Sequence, residues 1–449
     1  MYVSPNTDAL PHEPVRVRAA APVFALRLLV KLVLVAVLGA IVLPLWPLFA
    51  VGALVFGWPP HVARPAEFAR YFGLVLTARP PSPGIPPLSR AYLFAHLVQR
   101  LWMVPVAGAA WYLDEVLLAR RMAAHPIHAP VIVLSAARSG STQISRYLEE
   151  DPRLAAPSSL QTLVPYLWLW HLARPLGRWI TEARLEAWLR ATMPLEFIQR
   201  HEVHPMRTDT FEVLFFVLRV HVLAPCFGPE TFVDDMAFSS RAAHNRRMWE
   251  RDFVGFIDRL GRKTLAFAGP GPDGRPRRLY IKGHFQAADD ALAARYPDAH
   301  FLTVTRDPVK RLRSVLNHIH GNPIFEPLGA IPWAWLAEAL PDAAAAYDAR
   351  EHAWFTRPDG PARTVIRFTA YAQDLEGTMR TIYRRCFGDE QLPDHVPRVH
   401  TARDRTNYAV NRSLADVGID ADAHAARSAQ YIAWLSRPGS PDVATGEDA

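Results

Sequence analysis

Between Ala129 and Glu150 the chain reads APVIVLSAARSGSTQISRYLEE, and the residue types in its middle suit the capture of an anion. Gly140 lets the backbone approach a bound oxyanion, Ser139, Ser141 and Thr142 add hydroxyls, and Arg138 adds a planar bidentate donor. A second set follows about 170 residues later, with Arg306 in Arg306-Asp307-Pro308 and Ser314 eight positions on. Eight residues make about two helical turns, so a helix opening at Pro308 turns Ser314 back towards Arg306. One guanidinium and one hydroxyl converging above a strand end form a phosphate clamp.

The flanking residues supply the elements that must hold these groups. Val131 to Val133 is a β-branched run, Ser135 to Ser141 a small-residue turn, and Ile144, Tyr147 and Leu148 repeat at helical spacing. In a strand-loop-helix unit the loop amides and the helix N-terminus gather partial positive charge at one spot. Leu279 to Ile281 and Phe301 to Thr305 read as short buried strands, with a helix over Ala287 to Tyr296 between them. A nucleotide-triphosphatase loop, GxxxxGK[ST], is absent, because Ser135 and Ser141 stand where its first glycine and its lysine belong.

Composition bounds the rest. With 449 residues, 50% hydrophobic and 21% charged, the chain can bury one α/β domain of about 300 residues and still carry an N-terminal attachment. The formal charge of +7 favours polyanionic small ligands or an anionic membrane surface. Nucleic acid ranks last, since the arginines are scattered and no zinc-finger spacing or basic arm is present. Cys226 and Cys386 make neither a disulfide framework nor a metal cluster.

Residues 1–22 are Pro-rich and polar and read as a disordered tail. Residues 23–58 are almost continuously apolar and long enough to span a bilayer, and no small-residue cleavage site follows. Pro44 and Pro47 interrupt the stretch, and Arg16, Arg18, Arg27 and Lys31 precede it while Arg64, Arg70, Arg79 and Arg90 follow. Basic residues on both flanks favour both ends on the cytoplasmic side, so the expectation is a re-entrant or paired-helix anchor, with a single kinked span as the rival. Residues 59–125 read as a stiff linker followed by a helix that is either amphipathic and interfacial or packed on the domain, residues 126–435 as the catalytic domain and 436–449 as a disordered tail.

Arg138-Ser139-Gly140-Ser141-Thr142 resembles the 5'-phosphosulfate loop of the sulfotransferase family, [KR]-S-G-[ST]-T, and Arg306-Asp307-Pro308 with Ser314 resembles that family's second signature. The likeness extends to Ile281-Lys282-Gly283-His284, similar to an LKSPxH element, to His204-Pro205-Met206 through Glu212, similar to an HPM...E segment, and to Tyr408–Gly418. It spans about residues 128 to 420 and implies a three-layer P-loop-type α/β fold with a central parallel sheet. It also implies a co-substrate, 3'-phosphoadenosine 5'-phosphosulfate, held by Arg138, Ser139, Gly140, Ser141, Thr142, Arg306 and Ser314. Two departures stand out: Gln161 replaces an acidic residue of the family, and Gly283 replaces its KSP serine.

Sulfuryl transfer needs a base for the acceptor proton and cationic support for the transferring group. Glu212, His204 and His284 compete for the base; Glu212 is preferred, with Lys282 stabilising the sulfate. Arg403, Arg405 and Tyr408 are placed by the resemblance near the nucleotide. No metal is expected, because the histidines of His201-Glu202-Val203-His204 lie one residue too close for HExxH. The expected function is sulfation of a hydroxyl or amine on a small or lipid-like acceptor at the cell (inner) membrane, with the catalytic domain cytoplasmic. The alternatives are a P-loop kinase or nucleotidase on a membrane metabolite, and an inactive membrane scaffold of the same fold.

Overall fold

Short Val/Ile/Leu runs without alternating polarity belong in a sheet covered on both faces. In the computed structural model, which describes residues 21–78, 85–178, 181–192, 204–319, 322–396, 413–436 and 443–445, these runs build that sheet. Strands β1 (Val131–Leu134), β2 (Leu154–Ala155), β3 (Arg278–Gly283), β4 (His300–Thr305) and β5 (Ala362–Arg367) run parallel in the order β2-β3-β1-β4-β5. Strand β6 (Val443–Thr445) pairs antiparallel with β5. Successive side chains enter opposite layers: Ile132, Leu134, Leu279, Ile281 and Phe301 join one core, and Val131, Val133, Tyr280, Leu302 and Val304 the other. The result is the expected α/β fold with a central parallel sheet.

β1 sits where the strand order reverses, with β3 on one side and β4 on the other. A crevice at the C-terminal end of such a strand is where parallel sheets bind ligands. The register places Lys282 beside Val133 and Gly283 beside Leu134, level with the start of the loop after β1. The expected helix over Ala287 to Tyr296 is shorter, Asp289–Arg295, after a tight turn at Gln286–Ala288.

The N-terminal region departs from expectation. The chain does not fold back at Pro44 and Pro47; helices Ala21–Val42 and Trp46–Phe56 are joined by one tight turn, Leu43–Leu45. Both prolines fall in the first turn of their elements, where a missing N–H costs nothing, so the rod continues for about 54 Å at ~1.5 Å per residue. Its partner is instead the helix Pro87–Leu117, which runs alongside in the same direction. Phe24 meets Tyr92, Lys31 Nζ donates to Gln99 Oε1 at 2.8 Å, and Phe49 and Phe56 meet Tyr112.

Residues 59–125 also pack against the rest of the chain. Arg64 forks onto Asp252 at 2.8 and 2.6 Å, Tyr71 Oη donates to Asp235 at 2.9 Å, and buried Arg219 reaches the Pro60 carbonyl at 2.7 Å and pairs with Glu67. Asp114 is fully buried, lies 2.9 Å from Lys263 Nζ, and accepts from the Leu167 and Trp168 amides at 2.8 Å each. Val62, Phe68, Tyr71, Leu93 and Trp111 share one core with Phe215, Trp249 and Phe256. Arg64, Tyr71 and Asp114 of this region thus find partners beyond residue 126.

Candidate active site

The loop after β1 is pinned at its start. Ser135 donates its amide to the Gly283 carbonyl at 3.2 Å and accepts the Val304 amide on its hydroxyl at 2.8 Å, which ties it to both neighbouring strands. The loop then curls through two left-handed residues, Arg138 (φ +65°) and Gly140 (φ +100°). A side chain at 140 would be strained by that φ, and its Cβ would meet the Phe368 ring at 2.7 Å. Gly140 caps the helix Ser141–Leu148 without a side-chain hydrogen bond, so the first amides of that helix remain available to a ligand. Ser139 Oγ is buried and has no hydrogen-bond partner among the described residues.

Four groups close around this loop. Arg138 Nε donates to Ser314 Oγ at 3.1 Å, and Arg306 donates to the Arg138 carbonyl at 3.0 Å while its guanidinium lies 4.6 Å over the Phe368 ring. Burial, and then the nearby Arg138, lower the Arg306 pKa. Two guanidiniums thus approach one another, an arrangement that an anion between them would relieve. From the β3 side, buried Lys282 donates to Thr142 Oγ1 at 2.9 Å and stands 3.7 Å from Asp209 Oδ1. Its pKa is lowered, first by burial.

Beyond Lys282 the surroundings change from polar to aromatic. Glu212, in the first turn of the helix Phe211–Leu218, is fully buried, and no described side chain donates to its carboxyl oxygens. Burial pushes its carboxyl up to about 8, against the pull of its own amide, the His284 amide and Lys282. Gly283 makes this seat possible, since a Cβ there would run into Glu212 Oε2 and the Phe285 ring. His284 Nδ1 faces the Ser135 carbonyl at 2.6 Å, the contact of an N–H donor, and burial holds its pKa down to about 3. His284 is thus a neutral strut for the loop.

The family model described as "Sulfotransferase family" matches residues 130–389, more than half of the chain. The chain belongs to the sulfotransferase family. Among solved structures it is similar to the sulfotransferase STF1 from Mycobacterium tuberculosis H37Rv, at 18% identity and TM-score 0.52, over 86% of this chain and 98% of that one. It is also similar to STF9 from Mycobacterium avium, at 17% identity and TM-score 0.54, over 86% and 95% of the two chains. At these identities the likeness is one of fold. Coverage of 86% exceeds what residues 130–449 alone could supply, so the shared fold takes in part of the N-terminal helical region. No curated protein gives a significant match.

In this sulfotransferase the loop residues Arg138 to Thr142 and the clamp residues Arg306 and Ser314 come together as their spacing implies, and Lys282, Glu212 and His284 join them. His204 is drawn elsewhere: its Nδ1 lies 3.0 Å from Glu186, on the helix Glu182–Thr192, with Glu182 close by. Gln161 caps a helix, its Oε1 accepting the Ser158 amide at 3.0 Å in exchange for the Ser158 hydroxyl. His201, Glu202, Arg403, Arg405 and Tyr408 lie outside the described residues. Sequence reasoning missed Phe368, for which the only signal is an aromatic residue directly after a parallel strand. A wide cleft lined by Asp151, Arg153, Asp389 and His395 lies at the N-terminal side of β2, away from the loop, and its several acidic residues suit no anion.

Proposed function

We propose that this sulfotransferase moves a sulfuryl group from 3'-phosphoadenosine 5'-phosphosulfate to a hydroxyl or amine of an apolar, lipid-like acceptor at a membrane surface, with the catalytic domain on the cytoplasmic side. The observation that carries the donor is the meeting of Arg138, Arg306 and Ser314 beside the open helix N-terminus at Gly140. Two adjoining anion sites suit a nucleotide with two separate phosphates. Loop amides, Ser139, Ser141, Thr142 and Lys282 serve the 5' side; Arg306 and Ser314 serve the 3' side.

Glu212 takes the acceptor proton, the acceptor oxygen or nitrogen bonds to sulfur, and the bond from sulfur to the bridging phosphate oxygen breaks. Its electron pair stays on the 5'-phosphate, where the amides, Thr142 and Lys282 stabilise the charge. A base with a pKa near 8 is matched to work near neutral pH. The apolar acceptor is supported by the wall around Glu212, with Phe211, Phe215, Phe216 and Phe285 buried about it. Membrane attachment is supported by two helices, Pro22–Phe56 and Pro87–Leu117, each long and apolar enough to cross a bilayer.

Calorimetric titration of the detergent-solubilised chain with 3'-phosphoadenosine 5'-phosphate, in parallel with ATP, tests the donor. The bisphosphate should bind, and Arg306→Ala should weaken it by about 10- to 100-fold, the worth of a charge-assisted hydrogen-bond pair. Preference for ATP by the folded protein would overturn the assignment.

A further inference from the structure

The rod Ala21–Phe56 has the length and hydropathy of a membrane span, yet both of its ends are fastened to the same catalytic domain. Near its start Arg27 pairs with Glu326 at 2.5 Å. Just beyond its end, Tyr112 Oη donates to the Gly57 carbonyl at 3.1 Å, Arg219 holds the Pro60 carbonyl at 2.7 Å, and Arg64 forks onto Asp252. A bilayer core of about 30 Å threaded by this rod would put Glu326 and Asp252 of one packed domain on opposite sides of the membrane. The companion helix Pro87–Leu117 is tied to the same domain by its buried Asp114–Lys263 pair, whose lysine lies on the helix Val254–Ala268.

What remains is a long apolar ridge facing outward. Leu26, Leu34, Ile41, Leu48 and Leu54 are each more than half exposed along the rod, and Phe94, Met103, Leu113, Val116 and Leu117 continue the surface on the companion helix. Just past Leu117 come the exposed arginines Arg120 and Arg121; Arg121 and Arg174 both act on His171, next to the exposed Leu172, and Leu176 is exposed as well. Apolar side chains bordered by cations complement the boundary between the acyl chains and anionic headgroups of a bilayer. We infer that this parallel helix pair lies in the plane of an anionic membrane leaflet, its ridge sunk to the headgroup–acyl boundary, and that neither helix crosses the bilayer. The same placement leaves three aromatic residues in series between the companion helix and the proposed base: Trp111 packs 6.3 Å from Phe256, which packs 5.4 Å from Phe211, the neighbour of Glu212.

The test uses the full chain on vesicles, without donor or acceptor, so it stands or fails apart from the sulfotransferase chemistry. Single spin labels are placed through Leu26→Cys, Leu34→Cys, Ile41→Cys, Leu48→Cys and Leu54→Cys, the native Cys226 and Cys386 being buried. Depth measured with oxygen and a polar relaxant should stay shallow from end to end, varying only with the helical turn. Flotation should favour phosphatidylglycerol-containing vesicles over pure phosphatidylcholine, and Arg120→Glu with Arg121→Glu should lower that binding by about tenfold or more. A depth profile that peaks at Leu34 to Ile41 with both ends in water would overturn the inference. So would failure to bind vesicles by a folded protein whose ridge is buried in a dimer.

Discussion

The two halves of the candidate site are built on opposite principles. The donor half, from Ser135 to Thr142 with Arg306 and Ser314, is polar and made largely of main chain: a left-handed turn, an open helix N-terminus and converging guanidiniums. The half around Glu212 is aromatic and holds one buried carboxyl with no side-chain donor among the described residues. Charge is welcomed on one side and penalised on the other, which in the proposed reaction would let a single crevice stabilise a leaving phosphate and keep a base protonatable near neutral pH. Lys282 is the hinge between them, bonded to Thr142 and electrostatically coupled to Glu212.

That contrast breaks most clearly at Glu212. Glu212→Gln should reduce turnover by about 10²-fold or more while nucleotide affinity stays within a few-fold, as seen by rate assay beside calorimetry. A variant that instead lost nucleotide binding would erase the division into halves. Wild-type kcat/KM should rise with pH through about 8 as the carboxyl ionises, and the variant should lose that inflection. The sign for stability is the opposite. Folding raises this carboxyl from 4.5 to about 8, so its stabilising neutral form is lost as pH rises through that range. Thermal midpoints should therefore favour Glu212→Gln over wild type more strongly at pH 9 than at pH 6.

Gly283→Ser sharpens the same comparison at an intermediate size. The added Cβ displaces either the carboxyl or the Phe285 ring, and turnover should fall by about 10- to 100-fold with a shifted pH inflection, the scale of a misplaced reacting group. Unchanged turnover and pH profile would mean that the glycine does not set the seat of Glu212. The smallest effect belongs to Phe368→Ala on the donor side, where loss of the ring under Arg306 should weaken nucleotide binding about threefold in the same titration.

Legibility followed how local the determinants were. Arg138 to Thr142 could be read because the loop chemistry is carried by five consecutive residues, and Arg306 with Ser314 because a helix joins them at two turns. His204 was misleading for the same reason in reverse. It stands eight residues before Glu212, yet its partner is Glu186, whose approach depends on how two helices pack. Gly283 reads in one dimension as a lost serine; only the neighbouring Glu212 and Phe285 show what the missing side chain makes room for.

By itself the sequence determined the strand-loop-helix units, the family, and the presence of a long apolar N-terminal segment, because residue type, short spacing and hydropathy are properties of a chain before it folds. Tertiary structure alone decided which carboxyl is buried beside the loop, that Phe368 supports Arg306, and that the apolar rod runs parallel to Pro87–Leu117 with both ends on one domain. Those outcomes rest on contacts between residues tens to hundreds of positions apart. Burial, ion pairing and aromatic packing there are decided by which surfaces meet, and no local pattern encodes that meeting.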